Sequence, residues 1–289
     1  MLTRDKKDLI IVPCDFTEQA RTAISHASRI AVQGEDEVRL LHIINNETRA
    51  KLKKAHAGEE TVYEELKQWA EENKAETGVT TSYHAEEGSI FTTIGEYISD
   101  SDASLVVMGT HGVKGIQHIV GAFAMKVIAS SQVPVIIVQS KKIAKDGYKK
   151  IILPIDHNRH GKNKTAYAIS IAKYFDGEVH IFESRETDEY IANHVKLNLN
   201  HARQYLDQNR VRYTVVTEKA GEGSFIKQLV RYASKIEADM IVISSEHDKQ
   251  GMADLILGKN EVQIINNDAQ IAVMCVNPIQ DTMHLGVFG

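Results

Sequence analysis

The sequence repeats one series of apolar segments twice, and this repeat constrains the fold more than any other feature. Residues 10–15 (IIVPCD) match residues 151–156 (IILPID), with proline and aspartate at equivalent places. Four further pairs of segments follow in the same order, beginning at Glu37 and Glu178, Gly88 and Gly223, Ala103 and Ala238, and Val133 and Ile271. Five matches in one order indicate a duplicated domain.

In each half, apolar runs of strand length alternate with segments of helical periodicity. This alternation predicts an α/β fold in which helices cover both faces of a parallel sheet. We expect two tandem open parallel sheets of five strands, in domains at residues 1–141 and 149–279, followed by a C-terminal tail at 280–289. Residues 48–76 are predicted to form one long charged helix, and the next helix is predicted to open at Gly88. Residues 133–138 are predicted to form the fifth strand, and residues 141–150 a charged linker.

Composition excludes several classes of partner. The net charge of −5 gives no electrostatic reason to expect nucleic acid or an anionic membrane. No stretch approaches the length of a membrane-spanning helix, and the apolar run at residues 9–12 is too short for a signal sequence. Cys14 and Cys275 lie within apolar runs and read as buried thiols of a reducing compartment. We therefore expect a cytoplasmic protein.

A glycine-rich segment follows the apolar run at residues 105–108. It contains Gly109, Gly112, Gly115, Gly121 and Ala122. Glycine lets the backbone turn sharply and approach a ligand, and the N–H groups of such a loop and of the next helix can bind an anion. The pattern predicts a phosphate site, and a tight turn that binds nothing remains the alternative.

Asp15 ends the first predicted strand, as Gly109 ends the fourth. In parallel sheets, ligands bind beyond the carboxyl ends of the strands, so these residues face one crevice if the two strands are neighbours. A carboxylate there can accept hydrogen bonds from ribose hydroxyls or a base amine, although capping a helix is the alternative role. The motifs of a P-loop and of a dinucleotide fingerprint are both absent.

These residues resemble the universal stress protein family, as a tandem two-domain member. The resemblance rests on Pro-x-Asp at residues 13–15, on His42, on Met-Gly-Thr-His-Gly at residues 108–112 and on the apolar run at residues 133–138. It implies an adenine nucleotide alpha hydrolase-like fold with strand order 3-2-1-4-5. It also implies an intramolecular pseudo-dimer, in which residues 133–138 pair with residues 271–276, and leaves a homodimer open.

The resemblance also implies a nucleotide site. Family members that bind ATP carry Gly-x2-Gly, nine residues and then Gly-Ser/Thr. On that pattern Gly109, Gly112 and Gly121 would line the triphosphate, Asp15 would face the adenosine, and Ile43 would lie beside the base. Within the same loop, Lys114 could add positive charge next to Gly115.

This chain departs from the pattern at two points. Only eight residues separate Gly112 from Gly121, and Ala122 replaces the hydroxyl residue. A lost hydrogen bond to a charged group costs about 1.5–3 kcal/mol, which is one to two decades of affinity. In the second half, residues 244–247 (SSEH) replace the glycine motif, and we expect this half to bind no nucleotide.

Three functions follow from these observations. The first is a stress-response regulatory protein that binds ATP weakly in the first domain alone, with Mg²⁺ accompanying the nucleotide. The second is a stress-associated interaction protein that binds no nucleotide and acts through an unknown protein partner. The third is a slow ATP hydrolase, but no catalytic base is evident, and we expect no enzyme. His157 and His160 are the best candidates for a metal site, although a solvated loop is the favoured interpretation.

Overall fold

The computed structural model describes residues 7–110, 122–157, 161–219, 222–245 and 258–277. The chain divides into two compact units, Met1–Lys142 and Ile143–Gly289. Each unit is an α/β fold with a parallel sheet, as the sequence predicts.

The described part of the first unit contains five strands and five helices. The strands are β1 (Leu9–Pro13), β2 (Glu37–Ile44), β3 (Thr81–Glu87), β4 (Ala103–Gly109) and β5 (Val135–Val138). The helices are α1 (Glu18–Gly34), α2 (Asn46–Ala55), α3 (Glu60–Thr77), α4 (Thr93–Asp100) and α5 (Ala122–Ser130). Every pairing is parallel in the order β3-β2-β1-β4-β5, so β1 lies between β2 and β4.

The second unit repeats this topology within its described residues. Its strands are β6 (Lys150–Ile155), β7 (Glu178–Glu183), β8 (Arg212–Thr217), β9 (Met240–Ser244) and β10 (Ala272–Val276). Its helices are α6 (Gly161–Phe175), α7 (Glu189–Gln208), α8 (Phe225–Lys235) and α9 (Lys259–Ile265). The order β8-β7-β6-β9-β10 again corresponds to 3-2-1-4-5, which confirms the predicted strand order in both halves.

The central strands form the core of each unit. Ile10, Ile11 and Val12 of β1 are fully buried, as are Ile151 and Ile152 of β6. Strands covered by helices on both faces require such continuous apolar runs, which is why the sequence signal was clear. The two cysteines are buried and unpaired, as predicted, and burial raises the pKa of the Cys14 thiol to about 12.

The prediction of one long helix at residues 48–76 was wrong. Helix α2 ends at His56, which adopts a left-handed conformation (φ 54°), and the N–H of Ala57 donates to the carbonyl of Leu52 at 3.0 Å. Such a C-cap closes the last turn of a helix. Because α2 has no buried residue, apolar periodicity could not locate its end.

Two other element boundaries differ from the sequence prediction. The helix expected to open at Gly88 begins at Thr93, because Gly88 has a φ of 153° and the Thr93 hydroxyl accepts from the N–H of Ser89 at 3.1 Å. Strand β5 begins after Pro134, which has no N–H to donate. In the described part of the chain, no helix is both long and apolar enough to cross a membrane.

Candidate functional site

The first unit contains a cavity of about 270 Å³ where β1, β2 and β4 end. Strand order reverses here, since the chain proceeds from β1 to β2 on one side and β4 lies on the other. Ligands of open parallel sheets bind at this position. Asp15, Ile43 and Gly109 line the cavity, so the fold brings together three of the residues predicted from sequence.

Asp15 supports the turn from β1 into α1. Its Oδ1 accepts from the N–H of Thr17 at 3.2 Å and from the Thr17 hydroxyl at 2.6 Å. The Thr17 oxygen in turn accepts from the N–H of Ala20 at 3.3 Å, as the N-cap of α1. The carboxylate is exposed at the edge of the cavity, so it has a structural contact and also faces the space that a ligand would occupy.

Phe16, which follows Asp15, adopts a left-handed conformation with φ of 63°. For a bulky residue this conformation costs on the order of 1–3 kcal/mol. Aromatic packing supports it, because the ring lies 4.9 Å from the ring of His42 and 5.6 Å, edge-on, from the ring of Trp69. Sequence reasoning missed Phe16, since no local pattern marks a phenylalanine at positive φ.

His42 is a structural residue in the wall of the cavity. Its Nδ1 lies 2.7 Å from the Cys14 carbonyl oxygen, and its Nε2 lies 3.1 Å from the Thr48 hydroxyl. Because a carbonyl can only accept, Nδ1 carries the proton, and Nε2 accepts from Thr48 in the neutral ring. Burial lowers the pKa of His42 and so favours this neutral form.

Gly109 is required by packing even without a ligand. It is the last residue of β4 and pairs with Val138 of β5. A Cβ at this position would lie 2.7 Å from the carbonyl oxygen of Gln19 in α1. The glycine therefore allows the start of α1 to approach the end of β4, and its presence alone is not a phosphate signal.

The rest of the predicted phosphate loop lies outside the described residues. This applies to Gly112, Lys114, Gly115 and Gly121, whose roles stay predictions. Ala122 is the first residue of α5.

The described lining of the cavity has two chemical sides. One side is apolar and includes Ile90, Met108 and Phe123. The formal charges on the other side are the carboxylates of Asp15 and Glu47 and the ammonium group of Lys51, two negative and one positive. The Lys51 Nζ lies 2.9 Å from a Glu47 carboxylate oxygen. A net charge of −1 favours a neutral group, such as a nucleoside, over a phosphate in this part of the site.

In the second unit, Ser244 at the end of β9 takes the place that Gly109 has at the end of β4. Ser245 corresponds to Thr110, because its N–H donates to the carbonyl of Val276 at 3.0 Å as that of Thr110 donates to Val138 at 2.9 Å. Ser245 is completely buried, and its hydroxyl bonds the side chain of Asn277. At the start of α9, the carboxylate of Glu261 lies against Gly258, where it adds negative charge. Glu246 and His247 lie outside the described residues.

The predicted metal pair is only partly described. His157 is exposed in the loop after β6, and His160 lies outside the described residues. No cluster of three or more histidine, cysteine, aspartate or glutamate side chains able to hold a metal ion occurs in the described part of the chain.

The strand order and the cavity at its reversal define a tandem α/β protein with the fold that the sequence resemblance implies. The model of the universal stress protein family matches residues 8–139 and residues 147–277. The chain therefore belongs to the universal stress protein family, with one family domain in each half. This membership supports a role in the stress response.

Individual relatives agree with this assignment. A universal stress protein of Methanocaldococcus jannaschii is 29% identical over 141 residues, which are 46% of this chain and 82% of that protein. The crystal structure of a universal stress protein from Archaeoglobus fulgidus matches 95% of this chain and 100% of its own, with a TM-score of 0.76 and 19% identity. A structure assigned to the same family, from Pseudomonas aeruginosa, matches 94% of each chain with a TM-score of 0.65 and 15% identity. At these identities the two structures establish the fold.

Proposed function

We propose that this stress-response protein binds an adenine nucleotide in the cavity of the first unit. The observation that carries the proposal is the convergence of Asp15, Ile43 and Gly109 around one cavity at the strand-order reversal. The base would lie beside Ile43, and the ribose hydroxyls would donate to the Asp15 carboxylate. The phosphates would extend towards residues 110–122.

The size and charge of the cavity support this orientation. Its volume of about 270 Å³ lies near the lower end of small-molecule sites, about 300–1,000 Å³. The cavity thus suits the nucleoside and leaves the polyphosphate, with any Mg²⁺ that accompanies it, outside the described lining. The net negative charge of that lining favours the same orientation.

We propose that the binding is weak and confined to the first unit. Ala122 provides no hydroxyl donor, and the loop before it is one residue shorter than the family pattern. In the second unit, Ser244 takes the place of Gly109, and the carboxylate of Glu261 lies against Gly258, so side chains stand where the phosphates would need open backbone.

We further propose binding without turnover. Both ring nitrogens of His42 are engaged in hydrogen bonds, and Glu47 is paired with Lys51, so neither is well placed to activate water. The second candidate function is an interaction protein without a nucleotide. The short loop and Ala122 favour it, and it predicts no heat of binding with ATP.

Isothermal titration of the whole protein with ATP, ADP, AMP and adenosine tests the proposal. We expect adenosine to bind within about tenfold of ATP, because the nucleoside makes most of the contacts. Asp15→Asn keeps an oxygen for Thr17 but loses the charge that the ribose hydroxyls meet, and should weaken binding about tenfold.

Asp156→Asn, at the equivalent position of the second unit, is the matched control and should leave the affinity unchanged. If no adenine compound binds, or if both substitutions weaken binding equally, the proposed site is wrong.

A further inference from the structure

Helix α7 carries a row of uncharged side chains on its outer face, of which two are exposed and three are half-buried. The row consists of Tyr190, His194, Leu197, His201 and Tyr205. Steps of three and four residues place these side chains on one face of the helix. Tyr190 is 69% exposed and Leu197 is 65% exposed, whereas the opposite face, which includes Leu199 and Leu206, is buried against the unit.

The duplicated helix α3 provides an internal comparison. Its buried residues Val62, Leu66 and Asn73 correspond, at a constant separation of 133 residues, to Val195, Leu199 and Leu206 of α7. At the same separation, the outer residues Leu197, His201 and Tyr205 correspond to Glu64, Gln68 and Glu72. The outer face of α3 thus has the charges of an ordinary solvated helix, while that of α7 does not.

The row on α7 reads Tyr-His-Leu-His-Tyr in both directions along the helix. A two-fold axis that passes between Leu197 and Asn198 would place Tyr190 opposite Tyr205 of a second copy, and His194 opposite His201. An interface with two-fold symmetry must be self-complementary in this way. We propose that the outer face of α7 is a homodimerisation surface, on which two copies of this chain pair through antiparallel α7 helices.

Charge and area indicate the strength of this dimer. The row has no aspartate, glutamate, lysine or arginine, so pairing buries no such charge. A contact confined to one face of a single helix is small beside the roughly 1,200–2,000 Å² that stable interfaces bury. The dimer should therefore form reversibly and depend on protein concentration.

Sedimentation equilibrium of the full chain over a wide concentration range tests the surface. Leu197→Glu introduces the residue that α3 carries at the equivalent position, and should lower the association constant at least about tenfold. Lys196→Glu is the control, because neighbouring side chains point about 100° apart around a helix. It should leave association unchanged, and circular dichroism checks that both variants fold.

Disulfide trapping tests the antiparallel orientation separately. His194→Cys and His201→Cys are made as two single variants and oxidised alone or mixed; Cys14 and Cys275 are buried. In the proposed dimer the two new cysteines face each other only in the mixture, so only the mixture should give a covalent dimer.

The proposal is wrong if the protein is monomeric at all concentrations, or if Leu197→Glu and Lys196→Glu associate as strongly as the unmodified chain. Crosslinking of either variant alone would exclude the antiparallel pairing.

Discussion

Asp15 and Gly109 each have a structural role that is separate from any ligand. The carboxylate of Asp15 fixes Thr17 at the start of α1, and the missing Cβ of Gly109 makes room for Gln19. A substitution at Gly109 would therefore perturb the fold first, and loss of binding would not identify a ligand contact. The conservative change at Asp15 is the better test, since it keeps the turn.

His26 shows how a buried group links stability to pH. The side chain is 4% exposed on α1, and its Nε2 lies 3.1 Å from the Lys141 carbonyl oxygen, to which it donates. Burial lowers its pKa from 6.5 to about 4. Between these values the unfolded chain binds a proton that the folded chain does not, so acidification through this window favours unfolding.

We expect His26 to reduce the free energy of unfolding by up to about 3 kcal/mol as the pH falls from 6.5 to 4. His26→Gln retains an N–H donor for Lys141 and should remove this part of the pH dependence in urea titrations. His157→Gln, at an exposed histidine, is the control and should retain it. The same pH profile for His26→Gln and the unmodified chain would contradict this origin.

At the scale of elements, the sequence predicted the strands better than the helix ends. Buried strands such as β1 and β4 carry uninterrupted apolar runs, which can be recognised from the sequence alone. The end of α2 depends on the left-handed turn at His56, and histidine marks such a turn much less often than glycine does. The next helix is α3, which packs against the unit through Leu66 and Trp69, and this packing decides where it begins.

Helix α2 should be the least protected helix of the first unit. It has no buried residue, and its links to the unit include the hydrogen bond from Thr48 to His42 and exposed ion pairs from Arg49 to Glu59 and Glu87. Amide protons of α2 should exchange at least about tenfold faster than those of α3.

A bound nucleotide should slow exchange in α2, because Glu47, Thr48 and Lys51 line the cavity. Hydrogen exchange followed by mass spectrometry, with and without adenosine, measures both effects. Equal protection of α2 and α3 in the free protein would show that α2 is not a weakly held element.

For the whole molecule, duplication preserved the fold and allowed the surfaces to diverge. Repeated segments were sufficient to predict two sheets and to place Asp15 and Gly109 at one crevice. Sequence reasoning missed the Glu47–Lys51 pair in the lining of the cavity and the left-handed turn at Phe16 behind Asp15, because both depend on how a helix and a turn pack around that crevice. Such contacts join residues without a shared local pattern, and only the three-dimensional structure reveals them.

This divergence predicts that ATP stabilises one half of the molecule. Trp69 is the single tryptophan of the chain and is buried in the first unit, so its fluorescence reports unfolding of that unit. A ligand at about ten times its Kd adds about 1.4 kcal/mol to the stability of the state that binds it. For a unit of this size that corresponds to a rise of roughly 3–5 °C in the fluorescence midpoint.

Two equivalent core substitutions assign the thermal transitions. Leu66→Ala in α3 and Leu199→Ala in α7 each remove a buried side chain and should cost about 2–5 kcal/mol in their own unit. ATP should raise the transition that Leu66→Ala lowers, as followed by fluorescence and calorimetry, and should leave the transition that Leu199→Ala lowers in place. A nucleotide that instead raised the second transition would place the binding site in the second unit, because a ligand stabilises only the state that holds it.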